Sequence, residues 1–342
     1  MNSSVVLPTK PTALRYFSCL RPQDILVLQG SPLLGAAFAL RHPGLQHLGP
    51  LAILMIANVL LVTHIFMLND WSGLTADLAD ANKAASVFTS RGVGSGEMGV
   101  VTSGVLVLSL LLFSRLGSLA LGLSLAIAAL SALYSLPRFN WKGRPLLNSA
   151  THLAGGILHF LLGYSLGNAI DRRGVAIATF FALIFAAGHL TQEIRDHQGD
   201  AVNGIRTNAV IFGPRRTFAA SLVLFTMAHV LLLLLALGRF LPLPLAALVV
   251  LYPLQLYWSL ETLREGLTYA SVSRLQSRYR VLYAVIGVAM VMALLWSRKG
   301  VRSSRPRALG RPGPSAVRAE VEIRRPNPTY GKQPASTSIS GA

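Results

Sequence analysis

Two segments, LGPLAILMIANVLLVTHIFML (48–68) and FAASLVLFTMAHVLLLLLALG (218–238), each run for 21 residues without one charged side chain. A helix of about 20 such residues crosses the hydrocarbon core of a bilayer. In that solvent a segment must satisfy its own backbone hydrogen bonds. The two runs therefore commit the chain to an all-α integral membrane fold. Composition agrees: 52% of the 342 residues are hydrophobic and 13% are charged, against about 25% charged in a soluble domain.

Hydropathy predicts about nine transmembrane helices, near 25–40, 48–69, 98–114, 117–135, 148–168, 175–191, 217–238, 240–259 and 279–297. The Arg115–Gly117 region between the third and fourth predicts a tight helical hairpin. Pro242, Pro244 and Pro253 predict a kink in the eighth, which a membrane bundle tolerates. Residues 1–24 read as a cytoplasmic N-terminal segment with no cleavable signal peptide, 25–298 as the transmembrane domain, and 299–342 as a disordered basic tail rich in Arg, Pro, Ser and Gly. Cys19 is the one cysteine, which rules out an intrachain disulfide.

A net charge of +18 invites a nucleic-acid partner, but its distribution argues against one. Ten of the 31 Lys and Arg residues fall in the last 45 residues, and most of the others lie between apolar spans, where topology and lipid headgroups account for them. With the N-terminus inside, the N-terminal segment and alternate loops hold 16 positive residues, Lys83 among them, against five on the other side. That bias predicts a multi-pass protein of an inner or plasma membrane, with the N-terminal segment on the cytoplasmic side. Nine spans would place the basic tail outside, so that count and the tail pull against each other.

The acids carry the chemical signal. Of 13 Asp and Glu residues, six lie in two short windows, Asp70, Asp77 and Asp80, and Glu193, Asp196 and Asp200. Each window follows an apolar span, and each opens with a carboxamide beside an acid, Asn69-Asp70 and Gln192-Glu193. At about 100° per residue, Asp70 and Asp77 lie near 100° and 80° from Asn69, and Glu193, Asp196 and Asp200 near 100°, 40° and 80° from Gln192. Carboxylates gathered on one face repel unless a cation sits between them. Hard oxygen ligands at a membrane-embedded cleft suit Mg²⁺ bridging to phosphate oxygens, whereas solvated acids at helix ends need no such pairing.

At these windows the chain resembles the UbiA superfamily of intramembrane prenyltransferases, whose two Asp-rich motifs read loosely N-D-x-x-D-x-x-x-D and D-x-x-D-x-x-x-D. Asn69, Asp70 and Asp77 match the first; Glu193, Asp196 and Asp200 match the acids of the second. Asn82-Lys83 and Ser90–Val93 are similar to the continuation of the first motif, and Gly204–Thr207 to that of the second. YSLPRFNWKGRPLLN (134–148) is similar to the family's Y-S-x-P-P-x-[RK]-x-K segment. Gly73 stands where the family has its middle Asp, and Asp80 is extra. Asp80 lies about 10 Å beyond Gly73 along a straight helix, so it replaces that carboxylate only if the backbone turns.

The resemblance implies a single helical bundle around a lipid-accessible central cavity, and Mg²⁺-dependent transfer of an isoprenyl group from an isoprenyl diphosphate to a hydrophobic acceptor, a small aromatic or a lipid. It implies Asn69, Asp70, Asp77, Asp196 and Asp200 as Mg²⁺ ligands with Glu193 assisting, and Arg138, Lys142, Arg206 and, less centrally, Arg91 on the diphosphate. Tyr134 would contact phosphate or face the allylic cation. The active site would lie on the cytoplasmic side. The same scaffold also admits a terpene cyclase or a phosphoribosyl-type transferase. A secondary transporter would place its acids near the bilayer midplane on broken helices, not at span ends. His152 and His159, seven apart on one face, read as lining the bundle interior or touching an acceptor, and His64 and His189 as interior polar packing near the motifs.

Overall fold

The computed structural model describes residues 15–17, 19–40, 44–80, 84–167 and 169–303. All its regular structure is helical: α1 (Pro22–Leu28), α2 (Gly30–Ala39), α3 (Leu48–Ser72), α4 (Leu74–Ala79), α5 (Ser95–Ser114), α6 (Ser118–Ser135), α7 (Leu147–Tyr164), α8 (Arg172–Val202), α9 (Asn208–Phe212), α10 (Pro214–Leu237), α11 (Tyr252–Arg264) and α12 (Tyr269–Ser303), with short 3₁₀ turns between them. The chain divides into two units, 1–297 and 298–342. Of the second, the helical residues up to Ser303 are described; the rest of the predicted tail lies outside the described residues, as do 1–14, Asn82 and Lys83.

Seven helices among the described residues are long and apolar enough to cross a membrane: Leu45–Ser72, Ser95–Ser114, Ser118–Ser135, Arg172–Val202, Pro214–Leu237, Leu243–Arg264 and Tyr269–Trp296. Two of the nine expected spans fall short for visible reasons. The first is broken at Gln29 into α1 and α2. The fifth, α7, is continuous, but Asn148, Thr151, His152 and His159 dilute its apolar character. The hairpin forms as expected, with α5 ending at Ser114, α6 starting at Ser118 and Gly117 at φ 110 between them. Where a kinked α-helix was expected, the chain instead runs as a 3₁₀ helix (Leu243–Leu251) into α11. Pro244 and Pro253 each sit in the first turn of their own segment, where a missing N–H costs nothing.

The longest helix, α8, packs against both α7 and α10, while α3 packs on α5, and α2 on α7. The α2–α7 contact depends on glycine. A Cβ on Gly163 would stand 1.7 Å from the Pro32 carbonyl oxygen, and one on Gly35 2.2 Å from that of Phe160. Apolar driving force between helices is weak in lipid, so close backbone approach of this kind holds them together.

Buried polar side chains link the helices in the same way. Asn58 Nδ2 donates to Gln29 Oε1 at 2.8 Å, and His159 Nε2 donates to Asn58 Oδ1 at 2.7 Å. This joins the α1–α2 junction, α3 and α7 at a point about 16 Å along α3 from Asn69. His64 Nδ1 bonds the Thr102 carbonyl at 3.0 Å and ties α3 to α5, the interior packing expected of it.

Candidate active site

The backbone turns where the first motif needs it to. Gly73 ends α3 and opens α4, and Asp80 follows α4 in an extended conformation. This turn carries Asp80 back to the second window, where its buried carboxylate lies over Gly199; a Cβ there would come within 2.6 Å of Asp80 Oδ2. Beside it, Asn203 Nδ2 donates to the Ala76 carbonyl at 3.1 Å. The two acid windows, well over a hundred residues apart in sequence, thus touch at one end of the bundle. The apolar run of the sixth span stopped at 191, but α8 continues to Val202 and so holds the whole second window on its last turns.

Two windows do not make one preformed ion cage. Among the described residues no three His, Cys, Asp or Glu side chains converge as a metal-binding group. Arginines are bound to two of the acids. Arg21 Nη2 donates to Asp70 Oδ1 at 2.5 Å, and Arg195 grips both oxygens of Asp196 at 2.7 and 3.1 Å. Arg21 also sits over the Phe66 ring, and Arg195 over that of Tyr269. Arg21 and Arg195 are two of the 16 positive residues that the charge bias assigns to the N-terminal segment and alternate loops. Their signal was position alone: Arg195 adjoins Asp196, and Arg21 lies in the basic N-terminal segment.

Glu193 behaves unlike the other acids. It is buried, and its carboxylate accepts from Asn148 Nδ2 (2.9 Å), Asn208 Nδ2 (2.9 Å) and the Ala209 N–H (3.2 Å). His189 Nε2 stands 3.0 Å from Glu193 Oε1. Asn148 in turn donates to the Lys142 carbonyl at 3.1 Å, and Asn208 Oδ1 accepts from the Leu146 N–H at 2.8 Å. One buried carboxylate therefore fixes two loops, the one carrying Arg138 and Lys142 and the one carrying Arg206.

The remaining expected residues divide by position. Asn69, Asp70 and Asp77 are half-buried, and Asp200 is buried. Lys142 and Asp77 lie within electrostatic reach of Asp70. Arg138 and Arg206 are exposed on their loops, and Arg91 is half-buried. Tyr134, at the end of α6, lies within electrostatic reach of Glu193, Asp196 and Asp200. Asp196 also lines a cleft of about 560 Å³ with Asp80, Arg215 and the α11–α12 loop. His152 and His159 part company: His159 bonds Asn58, while His152 stacks on His189 with ring centroids 3.3 Å apart.

Oxygen donors gathered at one end of a bundle of membrane-length helices, beside basic loops, define a polytopic membrane protein with a polar site at that end. Residues 31–268 match the UbiA prenyltransferase family, and the chain belongs to that family. It is similar to the lycopene elongase/hydratase of Haloarcula japonica, 30% identical over 233 residues that cover 66% of this chain and 76% of the relative. It is similar also to the lycopene elongase/hydratase of Haloferax volcanii, 28% identical over 281 residues, covering 81% and 87%. Among solved structures its fold is like that of a UbiA homolog from Archaeoglobus fulgidus bound to DMAPP and Mg²⁺, with TM-score 0.65, 18% identity and coverage of 82% of this chain and 98% of the other. It is also like a digeranylgeranylglyceryl phosphate synthase structure, with TM-score 0.62, 16% identity and the same coverage.

Proposed function

We propose that this protein transfers an isoprenyl group from an allylic prenyl diphosphate to a hydrophobic acceptor inside the membrane, and that residues 25–298 carry the activity. The observation that supports this best is the meeting of the two acid windows at one end of the bundle, flanked by the loops of Lys142 and Arg206. The donor set is all oxygen, which fits Mg²⁺. Asn69, Asp70, Asp77, Asp196 and Asp200 would hold the ion, with Asp80 supplying the carboxylate that Gly73 lacks. When bound, Mg²⁺ supplies the positive charge that stabilises diphosphate as a leaving group.

The chain's own residues do the rest. Lys142, Arg138 and Arg206 bind the phosphate oxygens. Arg21 and Arg195 release Asp70 and Asp196 as substrate and ion arrive, and rejoin them when the site empties. Glu193 keeps the two basic loops in place. Tyr134 turns its ring toward the allylic carbon as positive charge develops there. The excess of positive residues in the N-terminal segment and alternate loops supports a cytoplasmic site. Lycopene is an acyclic polyene, and both curated relatives are named for it, so we carry the proposal forward with an acyclic polyene as the acceptor.

The test is Mg²⁺-dependent release of diphosphate from dimethylallyl diphosphate by the full chain in proteoliposomes. Asp196→Asn and Asp200→Asn are expected to abolish it while helicity by circular dichroism is retained. Full activity in both variants would remove the second window from the chemistry.

A further inference from the structure

We propose that His152 Nε2 is the proton acceptor that completes the transfer, an assignment that rests on the prenyl-transfer reading above. Nδ1 of His152 lies 3.0 Å from the Asn148 backbone carbonyl. A carbonyl oxygen only accepts, so Nδ1 carries the hydrogen and Nε2 is left with its lone pair. The hydrogen bond thus fixes one tautomer and leaves a base on the other side of the ring.

The surroundings place that base where a cation would form. Tyr134 meets His152 edge to face, at 5.1 Å and 82°, and His189 lies flat against it at 3.3 Å and 7°. Phe185 closes another side, 5.5 Å from the His152 ring. Tyr134 and His152 are both half-buried, at facing positions on α6 and α7. Ser131 Oγ and Asn148 Oδ1 are buried nearby without hydrogen-bond partners, on the same two helices, α6 and α7.

The step balances as follows. The C1–O bond of the allylic diphosphate breaks, and diphosphate leaves with the electron pair. The π electrons of an acceptor C=C form the new bond to C1, which leaves a tertiary carbocation on the acceptor. A neighbouring C–H bond gives its electrons to a new double bond, and its proton goes to His152 Nε2. If water adds to the cation instead, the proton lost by that water goes to the same nitrogen, and the product is a tertiary alcohol. The imidazolium then returns its proton to solvent. No oxidant or reductant is needed.

The test uses the full chain in proteoliposomes with dimethylallyl diphosphate, Mg²⁺ and lycopene, and His152→Phe, which keeps a flat ring in the stack. The expected result is substrate binding within about 2-fold of wild type, a kcat lowered about 100-fold, and a changed ratio of alkene to alcohol products by mass analysis. Imidazole added to His152→Ala is expected to restore rate, which a purely structural residue would not allow. Should His152→Phe fail to fold, His152→Gln carries the same comparison. Unchanged kcat and product ratio in the folded variant, with wild type active, would overturn this assignment alone. Wild type that releases no diphosphate and prenylates no lycopene would overturn the functional reading, and the assignment with it.

Discussion

The Asp80 carboxylate occupies the space a side chain at position 199 would take: a Cβ on Gly199 would meet Asp80 Oδ2 at 2.6 Å and Cγ at 3.0 Å. Gly199 is thus what lets the first acid window close on the second. Gly199→Ala is expected to push the two apart and to lower Mg²⁺-dependent diphosphate release at least 10-fold. It should destabilise the protein by about 1–3 kcal/mol, the usual cost of overpacking. Because the two residues touch, the effects should not add: Gly199→Ala with Asp80→Ala should regain most of the melting temperature but not the activity. Equal melting temperatures for the single and double variants would show that this contact is not what separates them.

Glu193→Ala is expected to fail differently from a change at Asp196. It strips the acceptor from Asn148, Asn208 and the Ala209 N–H, all buried or part-buried. A buried donor left bare costs about 1–3 kcal/mol, so a large drop in thermal stability should accompany the loss of turnover. Asp196→Asn should leave stability nearly intact. Thermal unfolding of the two variants side by side separates a loop-fixing carboxylate from an ion-binding one.

Gly73→Asp should fit. Gly73 has φ −93, a backbone any residue adopts, and its Cβ would lie 3.0 Å from the Asn69 carbonyl oxygen and 3.6 Å from Asp77 Oδ2. A shift of a few tenths of an ångström admits it, and the new side chain would start beside the Asp77 carboxylate. Because Asp80 is proposed to supply the carboxylate that Gly73 lacks, the Mg²⁺ concentration giving half-maximal diphosphate release is expected to change little; a several-fold fall would show that the role is vacant and that Asp80 does not fill it.

Asp171 gives a pH-dependent test away from the site. Its side chain caps α8, accepting from the Gly174 N–H at 2.7 Å and from Tyr164 Oη at 2.9 Å. The bond from the Gly174 amide is the main cause holding its carboxyl below the usual carboxylate range, with Tyr164 and Arg173 adding to it. A depressed folded-state pKa stabilises above the unfolded value, about 3.9, and that stability is lost as pH falls through the lower folded value. Asp171→Ala should therefore cost about 1 kcal/mol near pH 7. The gap between variant and wild type should narrow below about pH 4; a gap that stays constant would rule out the charge as its source.

Legibility in the sequence followed the physics of each feature. Apolar runs reported the membrane helices directly, because burial in lipid is a property of composition. The two windows were visible because charge is scarce and six acids fell together. What the sequence hid was pairing across distance. Asp80 reaches Gly199 only because the chain turns at Gly73, and no residue pattern stated that turn. Arg21 and Arg195 looked like topology charges, since an arginine bound to a carboxylate and one facing headgroups are the same letter. The matched acids of the second window also suggested one shared task, whereas burial and four close neighbours set Glu193 apart. α7 was the hardest helix to read, for its polar residues serve the site at the expense of the hydropathy signal.

That last feature bears on how the protein is made. A segment carrying Asn148, Thr151, His152 and His159 gains little by leaving water alone, since each such group is costly in hydrocarbon until it finds a partner. Thr151 and His152 bond carbonyls of their own helix, but His159 finds its partner in Asn58 on α3 and Asn148 in Glu193 on α8, and α8 is synthesised after α7. Nascent α7 is therefore expected to enter the bilayer together with the helix that follows it rather than alone.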